Sequence, residues 1–433
     1  MPGWPGLLNR PEVRLPLYTP ELPTSVPSTR FKNKTTLQNI KYHHTMSSTI
    51  NRRNWIKSSA FMAGGLAFFS GTIGKLAAMP ARVFKPLSRS LTDQEAVTNA
   101  GFELKARLLA NENPFGPSAA AKKAIQDAID KSYQYPFMTQ GTLYNKIAQY
   151  EGINYNNILM ESGSSPLLLA AAIHYSKGGK SIITGDPSYD DLPSHAQQLE
   201  GKWIKVPLTA DYKLDLDAME AKVDSNTGLV YICNPNNPTA TILDTAKLKA
   251  FCERVSKKTT VFVDEAYIDY LPDPQASTMI STVKAGNNVI VARTFSKLYG
   301  FAGLRCGYVI AQPDTIKTLS MYTTGFSLAA TTIAGAIAAY REEDFLKDAL
   351  QKTNASKEYL YSVLKKEGYE YIPSSANFVM FPLKMDGKKF VGEMMKRGVG
   401  VRNWQFNGKD WCRVSIGRMD EMEAFADAFK QLS

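Results

Sequence analysis

From about residue 130 onward, short apolar runs alternate with helical patterns. Residues 181–184, 229–233, 260–263, 289–292 and 306–310 are each short and apolar, the signature of buried strands. With helical stretches between them, they predict an α/β unit, a mainly parallel sheet with helices on both faces. Pro166 fits the first turn of a helix running to about residue 175, entered through Gly163-Ser164-Ser165. A glycine-serine turn at a helix N-terminus is a ready cradle for phosphate. Beyond Met321 the pattern shifts to long helical stretches, 328–340 and 343–367, followed by short strands at 377–381, 400–402 and 411–416. That part reads as a smaller α+β domain spanning 321–433.

The first 81 residues follow a different logic. Up to about Thr45 the chain is rich in Pro, Thr and Ser and lacks apolar periodicity, so a disordered or over-long N-terminal extension is expected over 1–45. Asn51-Arg52-Arg53-Asn54-Trp55-Ile56-Lys57 resembles the basic start of a twin-arginine export signal. A weakly apolar run over 60–74 and the small-residue stretch Leu76-Ala77-Ala78-Met79-Pro80-Ala81 complete a signal-like segment over 46–81. Broken by Gly64, Gly65, Ser70 and Gly71, the run is short of the roughly 20 residues that span a bilayer, so no stable anchor is expected. Export to the periplasm through the twin-arginine machinery is the expectation, with a cytoplasmic location as the alternative.

Charge distribution removes one class of function. The formal charge is +11, but residues 1–80 hold ten Lys/Arg against two Glu, leaving 41 basic and 38 acidic residues for the rest. The globular region is close to neutral, which argues against a nucleic-acid partner. Cys233, Cys252, Cys306 and Cys412 show neither CxxC nor Cys/His spacing, so neither a metal site nor a disulfide framework is expected.

The chemistry concentrates in two stretches. Val263-Asp264-Glu265-Ala266-Tyr267 is followed, 33 residues after its Asp, by the Lys of Arg293-Thr294-Phe295-Ser296-Lys297, and Arg305 comes eight residues later. A pyridoxal-phosphate (PLP) site needs an amine to join the aldehyde, a carboxylate to keep the ring nitrogen protonated, and hydroxyl and guanidinium groups for the phosphate. These stretches supply each. Asp264 ends an apolar strand, where a buried carboxylate is costly unless a positive charge meets it. Lys297, in a Ser/Thr-rich turn near the cation Arg305, is a candidate for a lowered pKa.

These segments, together with Ala110-Asn111-Glu112-Asn113-Pro114-Phe115-Gly116, Tyr133-Gln134-Tyr135-Pro136, Asp186-Pro187-Ser188-Tyr189, Cys233-Asn234-Pro235-Asn236-Asn237-Pro238-Thr239 and Cys412-Arg413-Val414-Ser415-Ile416-Gly417, resemble class I/II aminotransferases of PLP fold type I. Within these the closest resemblance is to histidinol-phosphate aminotransferases, over roughly residues 105–433. The resemblance implies a large PLP-binding domain (131–320) with a seven-stranded-type sheet, and a segment 82–130 packing with the small domain.

It also implies roles. Lys297 would bond PLP and shuttle a proton, Asp264 would hold the ring nitrogen, Tyr267 and Asn237 would contact the ring hydroxyl, and Tyr189 would stack on the ring. Ser164, Ser165, Thr294, Ser296 and Arg305 would bind the phosphate, joined by Tyr135 from the second subunit of a homodimer. Arg413 would clamp the donor carboxylate, Arg402 would meet a substrate phosphate, and Asn113 would line the substrate site. The reaction implied is ping-pong transamination between a histidinol-phosphate-like or amino-acid donor and a 2-oxo acid such as 2-oxoglutarate. Two departures leave the donor open: Ser164-Ser165-Pro166 replaces an acidic pair, and Ala240 stands where glycine follows Asn-Pro-Thr. A threonine-phosphate decarboxylase-like lyase of the same fold and a non-catalytic exported PLP-binding or small-molecule-binding protein are the alternative readings.

Overall fold

The structure, a computed structural model, describes residues 104–432. The expected extension over 1–45 and the twin-arginine-type signal over 46–81 lie outside the described residues.

The chain enters through a two-residue strand, β1 (Ala106–Arg107), and two helices, α1 (Ala119–Ile129) and α2 (Phe137–Glu151). Seven strands then form one sheet: β2 (Ile158–Glu161), β3 (Ser181–Asp186), β4 (Lys202–Pro207), β5 (Thr227–Cys233), β6 (Thr260–Asp264), β7 (Val289–Thr294) and β8 (Gly307–Ile310). Their spatial order is β2-β8-β7-β6-β5-β3-β4. All neighbours are parallel except β8, which runs antiparallel to both β2 and β7. The sheet is the mainly parallel α/β architecture expected from the apolar runs.

β5, β6 and β7 are buried at every position, as strands covered on both faces must be, and this is why they read as unbroken apolar runs. Being parallel and adjacent, they bring their carboxyl ends to one edge, with Cys233 in register with Asp264 and Asp264 with Ala292. Ligand crevices of open α/β sheets lie at that edge.

The C-terminal part is built on β9 (Phe378–Pro382), β10 (Val399–Gly400), β11 (Arg402–Phe406) and β12 (Lys409–Ser415). β10 pairs in parallel with β1, while β11, β12 and β9 form an antiparallel sheet in that order. The strand expected over 400–402 is therefore two strands, and β11 runs on to Phe406. Side chains alternate across this sheet. Val379, Phe381, Cys412 and Val414 turn into a core shared with Leu360, Leu364, Phe425 and Phe429. The opposite face carries Phe378, Met380, Arg402, Trp404, Trp411, Arg413 and Ser415. Ala106 and Leu108 join the same C-terminal core, whereas α1 packs on the helix Ala330–Ala339. Gly335 permits that approach: a Cβ there would lie 2.8 Å from the Ile125 side chain.

Candidate active site

Asp264 sits at the carboxyl end of β6 and is buried. One oxygen accepts from the Tyr231 hydroxyl at 2.8 Å and the other from the Ala266 N–H at 3.1 Å. Both donors are neutral, so burial dominates and raises the carboxyl pKa to about 6. Lys297 follows β7 in the turn that begins at Phe295, with its Nζ 5.3 Å from the centre of the Tyr267 ring. Burial, and next the charge of Arg413, lower its pKa to about 8, against the opposing pull of Glu112 and Asp264. Lysine and aspartate thus face one enclosure, each with its charged form disfavoured.

A cradle lies beside them. Gly163 has φ +87, and a Cβ there would lie 2.1 Å from the Arg305 guanidinium. Glycine is what lets that side chain lie across the turn before the helix α3 (Ser165–Tyr175), whose N-cap is Ser164. Gly307 serves the same approach from β8, since its Cβ would come within 2.6 Å of the Ser164 nitrogen. Arg305 donates to the Ser296 hydroxyl at 3.2 Å, and Thr294 donates to the same hydroxyl at 2.9 Å. Ser164 has no side-chain cap bond, and Ser165 hydrogen-bonds Asp191. Hydroxyls, a guanidinium and a helix N-terminus converge on one spot, a constellation that suits a phosphate dianion.

Tyr267 follows β6 and packs edge-on against Phe378 of β9, ring centres 5.1 Å apart. Its oxygen accepts from Asn111 Nδ2 at 3.1 Å. Asn111 is in turn tied to Ser415, which accepts from its backbone N–H at 2.8 Å and donates to its Oδ1 at 2.9 Å. Arg413 donates to Asn237 Oδ1 at 2.8 Å and to the Leu109 carbonyl at 2.9 Å. Tyr189, partly buried, lies near enough to Asp191, Tyr267 and Asp264 that burial and then their charges raise its phenol pKa.

Lys297, Asp264, Tyr267, Tyr189, Asn237, Arg413 and the phosphate cradle therefore meet in one place. Arg402 stands on β11 directly across from Arg413. Asn113 spends both ends on backbone, donating to the Leu298 carbonyl at 2.6 Å and accepting from the Phe115 N–H at 3.0 Å, so it fixes the turn beside Lys297. Tyr135 is 75% exposed and packs on Phe137 and Phe326, apart from the cluster within this chain. Asn111, Ser415 and Tyr231 are functional neighbours that motif reading did not single out. The signal for Tyr231 is a hydroxyl-bearing side chain inside an otherwise apolar strand, but Asn111 and Ser415 meet across 304 residues with no local signature.

These residues fit PLP on their own terms. Asp264 is a buried carboxylate whose hydrogen-bond donors, among the described residues, are both neutral, a site that calls for a cationic N–H. Lys297 is an enclosed amine that is readily neutral, and Gly163 leaves room for the Arg305 guanidinium to lie against the turn before α3, where a phosphate would be met.

The protein-family model "Aminotransferase class I and II" matches residues 105–429. A histidinol-phosphate aminotransferase of Moorella thermoacetica is 34% identical over 350 residues, covering 80% of this chain and 90% of the relative. An aromatic amino acid aminotransferase of Mycolicibacterium vanbaalenii is 35% identical over 319 residues, covering 74% and 90%. Among solved structures, the histidinol-phosphate aminotransferase of Sinorhizobium meliloti in complex with pyridoxal-5'-phosphate superposes with a TM-score of 0.73 at 27% identity, covering 79% of this chain and 95% of that one. With its lysine, aspartate and phosphate cradle assembled at the strand ends, the chain belongs to the class I and II aminotransferases and is a PLP-dependent transaminase.

Proposed function

We propose that this transaminase moves the amino group of a histidinol-phosphate-like donor to a 2-oxo acid such as 2-oxoglutarate in two alternating half-reactions. The observation that carries the reading is the cross-strand pair Arg402 and Arg413 on the face of the small sheet turned toward Tyr267. Two guanidiniums side by side suit a phosphate ester, which brings more charge and more acceptor oxygens than one carboxylate. The sequence similarity to histidinol-phosphate aminotransferases supports the same donor class.

Bound in this site, PLP supplies an aldehyde that joins amines and a protonated ring that draws electrons from the donor Cα. Asp264 would hold the proton on the ring nitrogen, with its carboxylate kept aimed by the Tyr231 hydroxyl. Ser164, Ser165, Thr294, Ser296 and Arg305 would hold the phosphate. Tyr267 and Asn237 would contact the ring hydroxyl, and Tyr189 would cover the ring. Lys297 would serve as the base that removes the donor Cα proton and as the acid that returns it, a task for which a pKa of about 8 is well matched. Arg413, anchored by Asn237 and Leu109, orients the acidic end of each substrate.

The homodimer belongs to this proposal. Tyr135, Phe137, Met138 and Phe326 form an exposed aromatic and apolar surface, which supports a second copy covering it and carrying Tyr135 to the neighbouring phosphate. The arginine pair of Asn51-Arg52-Arg53-Asn54-Trp55-Ile56-Lys57 supports export by the twin-arginine route, with PLP loaded before transit.

The test is the visible absorption of the holoenzyme on addition of L-histidinol phosphate and then 2-oxoglutarate. Loss of the cofactor band with the donor and its return with the oxo acid supports the proposal. Release of CO2 from a donor carboxylate indicates the decarboxylase chemistry instead, and a band unmoved by any donor indicates a binding protein.

A further inference from the structure

Trp404 lies two residues beyond Arg402 on β11, so the two side chains leave the same face of the sheet. Its cross-strand partner is Trp411, as that of Arg402 is Arg413. The indole packs with Ile372, Met380 and Trp411, and its ring centre is 5.9 Å from Arg413 Cζ. Among the described residues its Nε1–H, sealed from solvent, has no hydrogen-bond partner, and the same holds for Nε of Arg413. A dry, unpaired donor is destabilising. Two of them beside one another mark a place where an acceptor arrives from outside.

The two ends of the Arg413 guanidinium are already held by Asn237 and Leu109, leaving its Nε edge for the ligand. A carboxylate has two oxygens, which a single guanidinium edge can saturate, whereas a phosphate monoester has three terminal oxygens. A neutral N–H serves the remaining oxygen without adding a third positive charge to a pair that already repels. We propose that Trp404 is a specificity-determining residue whose indole N–H donates to a phosphate oxygen of the amino donor, favouring phosphate esters over carboxylates. The inference rests on the phosphate-donor reading above.

The experiment compares kcat/KM of the holoenzyme for L-histidinol phosphate and L-phenylalanine in the wild type, Trp404→Phe and Trp404→His. Phenylalanine at 404 keeps an aromatic ring and deletes the donor, and the ester-to-carboxylate ratio falls about tenfold or more, the loss expected of one hydrogen bond to a charged group. Histidine places its Nε2–H where the indole N–H was and restores part of the ratio. Equal losses on both donors, or Phe and His variants that behave alike, overturn the proposal and leave Trp404 a packing residue. If the wild type turns over L-phenylalanine and not the ester, the donor reading has failed by itself. Inhibition of the L-phenylalanine reaction by propyl phosphate then decides the role of Trp404: weaker inhibition in Trp404→Phe sustains it, and unchanged inhibition removes it.

Discussion

Arg413 on β12 and Arg402 on β11 are direct partners in an antiparallel register, two guanidiniums side by side on one face. Like charges placed opposite each other are unfavourable. Burial first, and Arg402 second, bring the pKa of Arg413 down to about 10. A polyanionic ligand is one that two adjacent guanidiniums suit. Arg402→Gln is expected to raise KM for a phosphate-ester donor by about tenfold or more while changing KM for a monocarboxylate donor far less. Arg413→Lys, unable to hold both Asn237 and Leu109 while facing the ligand, is expected to lower kcat/KM for both donors by about 100-fold. Steady-state kinetics on the two donors checks both, and equal effects of Arg402→Gln on the two would remove its assignment to phosphate.

Lys297 gives a pH prediction with a definite sign. A lysine amine reacts when neutral, so in the apoenzyme its acylation rate should climb through a midpoint near pH 8 instead of near the ordinary 10.5. Arg413 lowers that pKa and Glu112 raises it. Arg413→Gln should therefore move the midpoint up and Glu112→Gln should move it down. Peptide mass spectrometry of Lys297 after timed acylation reads the midpoint directly, and a midpoint indifferent to both substitutions contradicts the account.

Asp264 opposes stability in the apoenzyme. Its folded pKa, about 6, lies above the ordinary 3.8, so the folded state holds its proton more tightly than the unfolded chain does. The stability tied to that proton is complete below pH 3.8 and is lost as pH rises through about 6. Above that window the loss is about 3 kcal/mol. Asp264→Asn does not titrate, so the apo variant should be more stable than apo wild type at pH 7.5 and match it near pH 3.5, while being severely impaired as a transaminase. Denaturant unfolding at the two pH values supplies the comparison, and a stability gap that does not change with pH would contradict the burial penalty.

The parts of this molecule that were legible beforehand are those whose chemistry is local. β6 and β7 announce themselves because strands buried on both faces are apolar throughout, and Asp264 and Lys297 lie at or just past their ends. β4 was not legible, because an edge strand with Lys202, Lys205 and Pro207 exposed has no apolar run. β11 was seen only at its first residue: Asn403, Trp404 and Gln405 carry no strand signal without β12 alongside. The same limit applies to the site. Arg413 could be matched by motif, but its neighbour across the strand pair, its anchor on Asn237 and its proximity to Trp404 depend on a sheet that only folding assembles.

Asn111 shows what such long-range contacts do. It has φ +52, in the left-handed region that Asn and Asp tolerate and Ala does not. Because Nδ2 donates to the Tyr267 oxygen, the tyrosine's own proton is left to point elsewhere, toward the enclosure that Lys297 shares. Asn111→Asp preserves shape, backbone preference and the acceptor for Ser415, but replaces that donor with a carboxylate that competes for the Tyr267 proton. It is expected to lose about tenfold or more in kcat/KM, the worth of one reversed hydrogen bond, and, because position 111 is buried, to lose stability at neutral pH that returns as the new carboxyl is protonated at acidic pH. Asn111→Ala removes the donor and strains the backbone, so it should lose activity and about 1–2 kcal/mol of stability together. Should Asn111→Asp retain full activity, Tyr267 would not act as a donor, and the orientation of its hydroxyl would be a matter of packing against Phe378 alone.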